Sequence, residues 1–247
     1  MEIFNSIFFI LFCLLMVVMA FLYSSVGHGG ASGYLAVMSL FSIPISIMKP
    51  SALLLNLFVS GISFFFYYQK EHFKPKLFYP FAITSVPAAF IGGMIPLENS
   101  FYKILLAVIL IFVAFRLFGF FTNKEKQITP VNNWVALAIG FGIGLLSGML
   151  GIGGGVILSP IILLLGWATI KETAAISSLF IFVNSMAGLL GYFISGKSIP
   201  VDSFYLVPLT VFGGILGSYL GSRYFSNSVL KYVLASVILI ASIKLII

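Results

Sequence analysis

The stretch "YSSVGHGGASG", Tyr23 to Gly33, decides how this chain is read. It holds four glycines, three serines and a histidine, with little to build a helix. It follows "MEIFNSIFFILFCLLMVVMAF", residues 1–21, an apolar run long enough to cross a bilayer. That run has no basic start and no small-residue cleavage site, and it outlasts a signal-peptide core. It therefore reads as a retained membrane segment. The remainder of the chain has the same character. Of its 247 residues 61% are hydrophobic and 8% are charged, with a mean hydropathy of +1.18. A soluble domain is roughly a quarter charged, so this chain lacks the polar groups to cover a surface facing water. Its solvent is lipid, where only helices and closed barrels satisfy the backbone. The apolar runs are near twenty residues and do not alternate, which selects helices.

Outward from the glycine stretch, ten apolar segments can be marked. They run from about Ile3 to Tyr23, Ala31 to Ile47, Ser51 to Tyr68, Leu77 to Ile95 and Phe101 to Phe121. After the polar linker "TNKEKQITPVNN" come Trp134 to Ser147, Val156 to Ile170, Thr173 to Ile194, Phe204 to Gly221 and Val229 to Ile247. The second and seventh are short and both follow glycine clusters, which makes them candidate half-helices. The two sets look like copies. "VGHGGASGYLAVMSLFSIP" aligns with "LGIGGGVILSPIILLLGWA", placing Gly27, Gly29 and Gly30 on Gly151, Gly153 and Gly154. "MKPSALLLNLF" aligns with "IKETAAISSLF", matching Lys49 to Lys171. Near the ends of the halves Lys103 falls on Lys231 and Arg116 on Lys244. The expected architecture is an all-α polytopic membrane protein of two homologous repeats with four to five segments each and discontinuous helices at the glycine breaks. Residues 1–121 form one repeat, 122–133 a polar cytoplasmic linker and 134–247 the other. Internal repeats of this size are characteristic of secondary transporters. If every segment crosses, the halves are inverted; if each glycine-split pair crosses once, they are parallel. The basic loops around Lys70, Lys74 and Lys76 and from Arg116 to Lys126 should be cytoplasmic, and the charge count favours inversion.

The net charge of +7 lies mostly between apolar runs. It reads as cytoplasmic loops rather than as a nucleic-acid surface. Cys13, the one cysteine, is a small hydrophobe inside the first run. Glycine breaks at membrane depth are another matter. Unpaired backbone survives there only where it is buried in protein or lines a cavity. The helix that starts after each break has N–H groups without intrahelical partners and the positive end of its dipole. Such an end holds an anion without a lysine or arginine, and none lies mid-span. The candidate substrate-binding set is Ser25, Gly27, His28, Gly29, Gly30 and Ser32 at the first break, and Gly151, Gly153, Gly154 and Gly155 at the second. Asn56 and Ser60, one helical turn apart, and Ser177, Ser178 and Asn184 in the matching region of the second half complete it. Each has a blander reading. The glycines could serve close packing, as Gly92, Gly93 and the run Gly213 to Gly221 do more simply. His28, whose partner position is Ile152, could be a neutral ring bonded to a carbonyl. The hydroxyls and amides could bond between helices.

No carboxylate lies in a span interior, and no cluster of His, Cys and carboxylate suggests a metal. No catalytic triad or carboxylate pair sits in the membrane. The chain is read as a non-enzyme without cofactor or metal.

The motifs "SSVGHGGASGYLAVMSL" and "LLSGMLGIGGGVILSPIILLLG", each followed by a helix bearing alanine and serine, resemble the sulfite exporter TauE/SafE permeases over nearly the whole chain. Gly148, Gly151, Gly153, Gly154, Gly155 and Pro160 match the pattern G-x-x-G-x-G-G-G…P. The first motif departs from it, with His28 at an apolar position, Ala31 for the third glycine and no proline before Pro44. The resemblance implies a small carrier for sulfur-containing anions, such as sulfite or an organosulfonate, in the cell's inner or plasma membrane. Alternating access is the expected mechanism; a membrane-embedded structural subunit, or a carrier of an unrelated small solute, is the rival. The expected partners are a small anion and the lipid bilayer, with a homodimer possible and nucleic acid excluded.

Overall fold

The structure, a computed structural model, describes residues 6–119, 128–223, 238–240 and 242–246. Lys231, the match of Lys103, and the first half of the linker, residues 122–127, fall outside them. The described residues form helices α1 (Ser6–Ser24), α2 (Ala31–Leu40), α3 (Ile45–Tyr68), α4 (Pro75–Met94) and α5 (Asn99–Leu117). After the linker come α6 (Asn133–Leu150), α7 (Gly155–Leu165), α8 (Ile170–Ile194) and α9 (Asp202–Arg223). Residues 238–240 and 242–246 are also helical. Six helices are long and apolar enough to cross a membrane: α1, α3, α4, α6, α8 and α9. The chain is an all-α, multi-pass membrane protein.

Local chemistry sets several boundaries. Asn132 caps α6 by accepting from the Trp134 and Val135 N–H groups, and Thr169 with Glu172 forms a capping box at α8. Glycines at positive φ stop α6 (Gly151, φ 81°) and α7 (Gly166, φ 68°). Pro44 is the N-cap of α3, so that helix begins at Ile45 and takes in Lys49 and Pro50. The sequence had placed this start after the proline. Pro50 lies in the second turn, where it forfeits the bond to Ser46 O, and Tyr192 OH donates to that carbonyl instead at 3.3 Å.

Packing is arranged across the two halves. α4 packs on α6 and α8, α9 packs on α1 and α3, and α3 packs on α8. The principal contacts are unchanged in kind when α1 to α4 exchange places with α6 to α9. Two of these pairs are glycine seams. Cβ atoms at Gly140, Gly144 and Gly148 of α6 would overlap the Phe81, Ser85 and Ala89 carbonyl oxygens of α4. Likewise Cβ atoms at Gly213, Gly217 and Gly221 of α9 would overlap the Val17, Phe21 and Ser25 carbonyl oxygens. Glycines four residues apart let the backbones meet, the usual device where lipid offers no hydrophobic drive between helices. Both seams advance in the same direction on both helices, so α6 runs parallel to α4 and α1 parallel to α9.

Contacts between helix ends give the depth of each element. At one end Lys74 pairs with Glu172 at 3.4 Å, Thr129 N–H donates to Gly166 O at 2.8 Å, and Lys171 Nζ donates to Gly221 O at 2.7 Å. This end gathers the starts of α4, α6 and α8 and the ends of α7 and α9. At the other end Ser51 and Ser203 hydroxyls meet at 2.6 Å and Tyr192 OH donates to Ser46 O at 3.3 Å. Lys244 Nζ donates there to Leu40 O. That end gathers the starts of α3 and α9 and the ends of α2 and α8. α7 therefore turns back toward the end where α6 began, and α2 toward the end where α1 began. Each broken pair is a hairpin whose second helix turns back into the bundle, and α2 and α7, at 10 and 11 residues, are the short half-helices that the sequence marked.

The seams generate a direct test. Gly142, on the same helix, has nothing within 4 Å of its Cβ position. Gly144→Ala should destabilise the protein by about 1–3 kcal/mol through overpacking, whereas Gly142→Ala should be neutral or gain up to about 1 kcal/mol from helix propensity. Thermal unfolding of the two variants in the same detergent checks this.

Candidate functional site

Both glycine breaks are buried. At the first, Gly27 (φ 80°) and Gly30 (φ 100°) take left-handed backbone; at the second, Gly151, Gly153 (φ 76°) and Gly154 (φ 78°) do the same. A side chain at any of these positions would be strained. Space forbids one as well: a Cβ at Gly27 would overlap Ala174 on α8, and one at Gly151 would lie 3.0 Å from Lys49 O on α3. Each break thus leans on the first turns of the long helix belonging to the other half.

The two breaks meet midway along α3 and α8. Asn56 on α3 accepts from Ala31 N–H, the first amide of α2, at 2.9 Å. Its Nδ2 donates to Ile152 O in the second break at 3.3 Å. One amide side chain, itself fully buried, therefore serves both breaks. Ile181 on α8 fills the space between them, 3.0 Å from a Cβ at Gly29 and 2.8 Å from one at Gly153. A second bridge runs through His28. A carbonyl oxygen only accepts, so His28 Nδ1–H donates to Val26 O at 3.1 Å. Its Nε2 lies 2.9 Å from Ser159 Oγ on α7, which is 2.7 Å from Ser177 Oγ on α8. His28 is thus a ring satisfied on both nitrogens that ties the first break to the helix following the second.

Among the described residues the N–H groups of Gly29, Gly30, Gly153 and Gly154 donate no hydrogen bond. Buried backbone amides without partners are rare and costly. The Tyr34 hydroxyl, against Gly30, and the Ser185 hydroxyl, 3.1 Å from a Cβ at Gly153, are buried without partners too. The meeting point carries several donors and, among the described residues, no charged acceptor.

Not every candidate residue reaches it. Gly27, His28, Gly29, Gly30, Gly151, Gly153, Gly154, Gly155, Asn56 and Ser177 come together. Ser32 bonds Tyr23 OH at 2.7 Å, at the start of α2. Ser25 donates to Leu22 O, Ser60 to Asn56 O and Ser178 to Ala175 O, all within their own helix or its last turn. Asn184 Nδ2 does the same with Phe180 O, leaving Oδ1 buried and unpaired. Ser159 was absent from the sequence-level set, although its position four residues after Gly155 in the second motif was a signal for it. Lys49 was overlooked as a buried cation because α3 was started too late. It is 7% exposed and donates to Gly93 O at 3.3 Å at the C-terminal end of α4. Lys171 does the same for α9 at Gly221 and Ser222. Both place positive charge at the negative end of a helix dipole, and the alignment of Lys49 with Lys171 foreshadowed the pair.

His72 lies in the loop after α3, its ring 6.3 Å from that of Tyr67. Burial pushes its pKa below the ordinary value, aided by the Lys171, Lys70 and Lys74 charges and opposed by Glu172. It is neutral at pH 7. Among the described residues no group of three His, Cys, Asp or Glu side chains could hold a metal ion.

Comparison with known proteins agrees with this architecture. The family model "Sulfite exporter TauE/SafE" matches residues 11–245. "Probable membrane transporter protein y4hK" of Sinorhizobium fredii is 34% identical over 232 residues, covering 92% of this chain and 94% of that protein. "Probable membrane transporter protein YdhB" of Bacillus subtilis is 26% identical with the same coverage. YunE of the same organism, likewise named a probable membrane transporter protein, is 35% identical over 43% of this chain and 39% of its own length. No solved structure matches. On the match across nearly its whole length, the chain belongs to the sulfite exporter TauE/SafE family of membrane transporters, which are permeases and not enzymes.

Proposed function

We propose that this transporter carries a small anion, a sulfur oxyanion such as sulfite or an organosulfonate, held where the two glycine breaks meet. The observation that carries the reading is Asn56: one buried amide bonded to both breaks, beside four glycine N–H groups that donate to nothing among the described residues. Unpartnered amides beside two helix starts complement negative charge without a fixed cation. That suits a carrier, which must release its substrate as well as bind it.

The halves are two inverted repeats in this reading, residues 1–121 and 134–247. Support comes from the hairpins dipping from opposite ends and from packing that maps onto itself on exchange of halves. The interlocking changes the expected motion. α4 packs on the second half and α9 on the first, so the halves do not rock as separate bodies. The moving bodies are α1, α2 and α9 against α4, α6 and α7, with α3 and α8 crossing between them. Ile181, wedged between the breaks, must give way when the substrate sits there.

Two measurements test this. Asn56→Ala leaves the Ala31 amide and the Ile152 carbonyl buried and unpaired. Each costs about 1–3 kcal/mol, so thermal unfolding in detergent should shift down relative to wild type. Asn56→Asp keeps the size and the acceptor for Ala31 but sets a negative charge beside the substrate, which costs several kcal/mol. In proteoliposomes the wild-type protein should move sulfite or an organosulfonate down its gradient, and Asn56→Asp should slow this by about tenfold or more. A wild-type protein inert toward both anions would remove the substrate assignment. Full flux in Asn56→Asp would remove the paired site.

A further inference from the structure

A cavity of about 160 Å³ opens at the end of the bundle where α3 begins and α4 and α8 end. Its wall includes Lys49, Lys197, Tyr192, Tyr102, Asn99 and Ser46. We propose that this cavity is an anion site distinct from the glycine breaks, a waiting position for a small oxyanion bound by Lys49 and Lys197 together. The proposal rests on the carrier reading for its purpose, although not for its chemistry.

The charges are unusual. Lys49 Nζ lies 5.8 Å from the centre of the Tyr192 ring and Lys197 Nζ lies 5.4 Å from it. Two ammonium groups therefore share one aromatic ring. Among the described residues neither has a carboxylate partner; Glu98, whose neighbours Leu97 and Asn99 line the cavity, pairs with neither. Like charges brought together without a counter-charge repel, and an anion between them removes that cost. The Lys49 ammonium has three N–H donors, and the Gly92 and Gly93 carbonyls take two at 3.5 and 3.3 Å. One remains for a ligand. The Asn99 amide and Ser46 hydroxyl add neutral donors in the same wall.

The opposite end of the bundle provides an internal control. Lys171 also donates to the end of a helix and lies 5.9 Å from a tyrosine ring, that of Tyr67. Capping a helix and meeting a ring are thus structural habits of this lysine. There, however, the aromatic neighbour of Tyr67 is His72, and the nearby Lys74 is paired with Glu172. Among the described residues, two ammonium groups share one tyrosine ring only at the Lys49 end.

Size and place agree. A cavity of about 150 Å³ holds benzene, a ligand of about six heavy atoms, so this one takes a sulfite or a short sulfonate. Its inner wall is the second break's own support. Tyr102 OH donates to Leu150 O at 2.9 Å, Met149 lines the cavity, and Lys49 O lies 3.0 Å from a Cβ at Gly151. Lys49 and Tyr102 therefore touch both the cavity and the second break.

Lys197 is exposed in the loop after α8, so its variants should fold; Lys49 variants lose a helix cap and are a poorer test. Inorganic sulfite is titrated calorimetrically, at low ionic strength, into the full chain in nanodiscs of zwitterionic lipid. Lys197→Ala should weaken sulfite binding about two- to fivefold, the worth of one exposed ion pair. Lys197→Glu should weaken it further, and Lys197→Arg should stay within about twofold of wild type. In Asn56→Asp the Lys197-dependent binding should persist. Equal affinity in the alanine and glutamate variants, or sulfite binding that disappears wholly with Asn56→Asp, overturns this site while leaving the carrier reading intact. Lys197-dependent binding by a protein that shows no flux would leave this site standing and the carrier reading overturned. A phospholipid headgroup offers the same oxyanion chemistry. A site that ignores sulfite and responds to Lys197 only when anionic lipid is added would also overturn the proposal.

Discussion

A helix cannot be broken in lipid unless something else takes up its backbone groups, and the rest of this structure follows from that constraint. Two breaks stand inside the bundle. Asn56 takes the first amide of α2 and gives its own hydrogens to the second break. His28 closes the first break onto Val26 and reaches Ser159 on the far side. Because each break borrows partners from the other half, neither half is complete alone. The breaks are therefore held face to face by the same bonds that make them tolerable. The amides left over define the candidate site.

Glycine does two separable jobs in this chain. At Gly27, Gly30, Gly151, Gly153 and Gly154 it supplies backbone turns closed to other residues. Along α6 and α9 it supplies seams where α4 and α1 approach to backbone distance. The seams tie α4 to the second half and α9 to the first, so the halves interlock. Such seams are rigid, because neighbouring backbones leave no side chain to rearrange. In the proposed transport cycle, movement is taken up instead by surfaces made of side chains, chiefly where α3 packs on α8 around Asn56 and Ile181. Asn56 and Ser60 on α3 and Ser177, Ser178, Asn184 and Ser185 on α8 are all fully buried.

Much of this was readable from the residues. Hydropathy gave the membrane class, and the glycine clusters identified both breaks. The alignment of the halves paired Lys49 with Lys171, and each of them caps the end of a helix. What was not readable depends on contacts across long stretches of chain. Nothing local says that α2 and α7 turn back rather than continue, since a glycine at positive φ permits either course. Asn56 stands 25 positions from one partner and 96 from the other. From sequence it could only be ranked with Ser60 and Asn184, which spend their bonds on their own helices. Lys49 was hidden because Pro50 was read as a helix boundary, whereas it sits in the second turn of α3 and the carbonyl it leaves free, Ser46 O, is bonded by Tyr192.

The central claim is that the two breaks make one site. An experimental structure determined with saturating sulfite in zwitterionic lipid addresses it directly. The account predicts density for the anion bounded by residues 27–33 and 151–155, within hydrogen-bonding distance of the glycine amides and Asn56. Breaks that remain packed against each other without an anion under those conditions, in every conformation recovered, would contradict it.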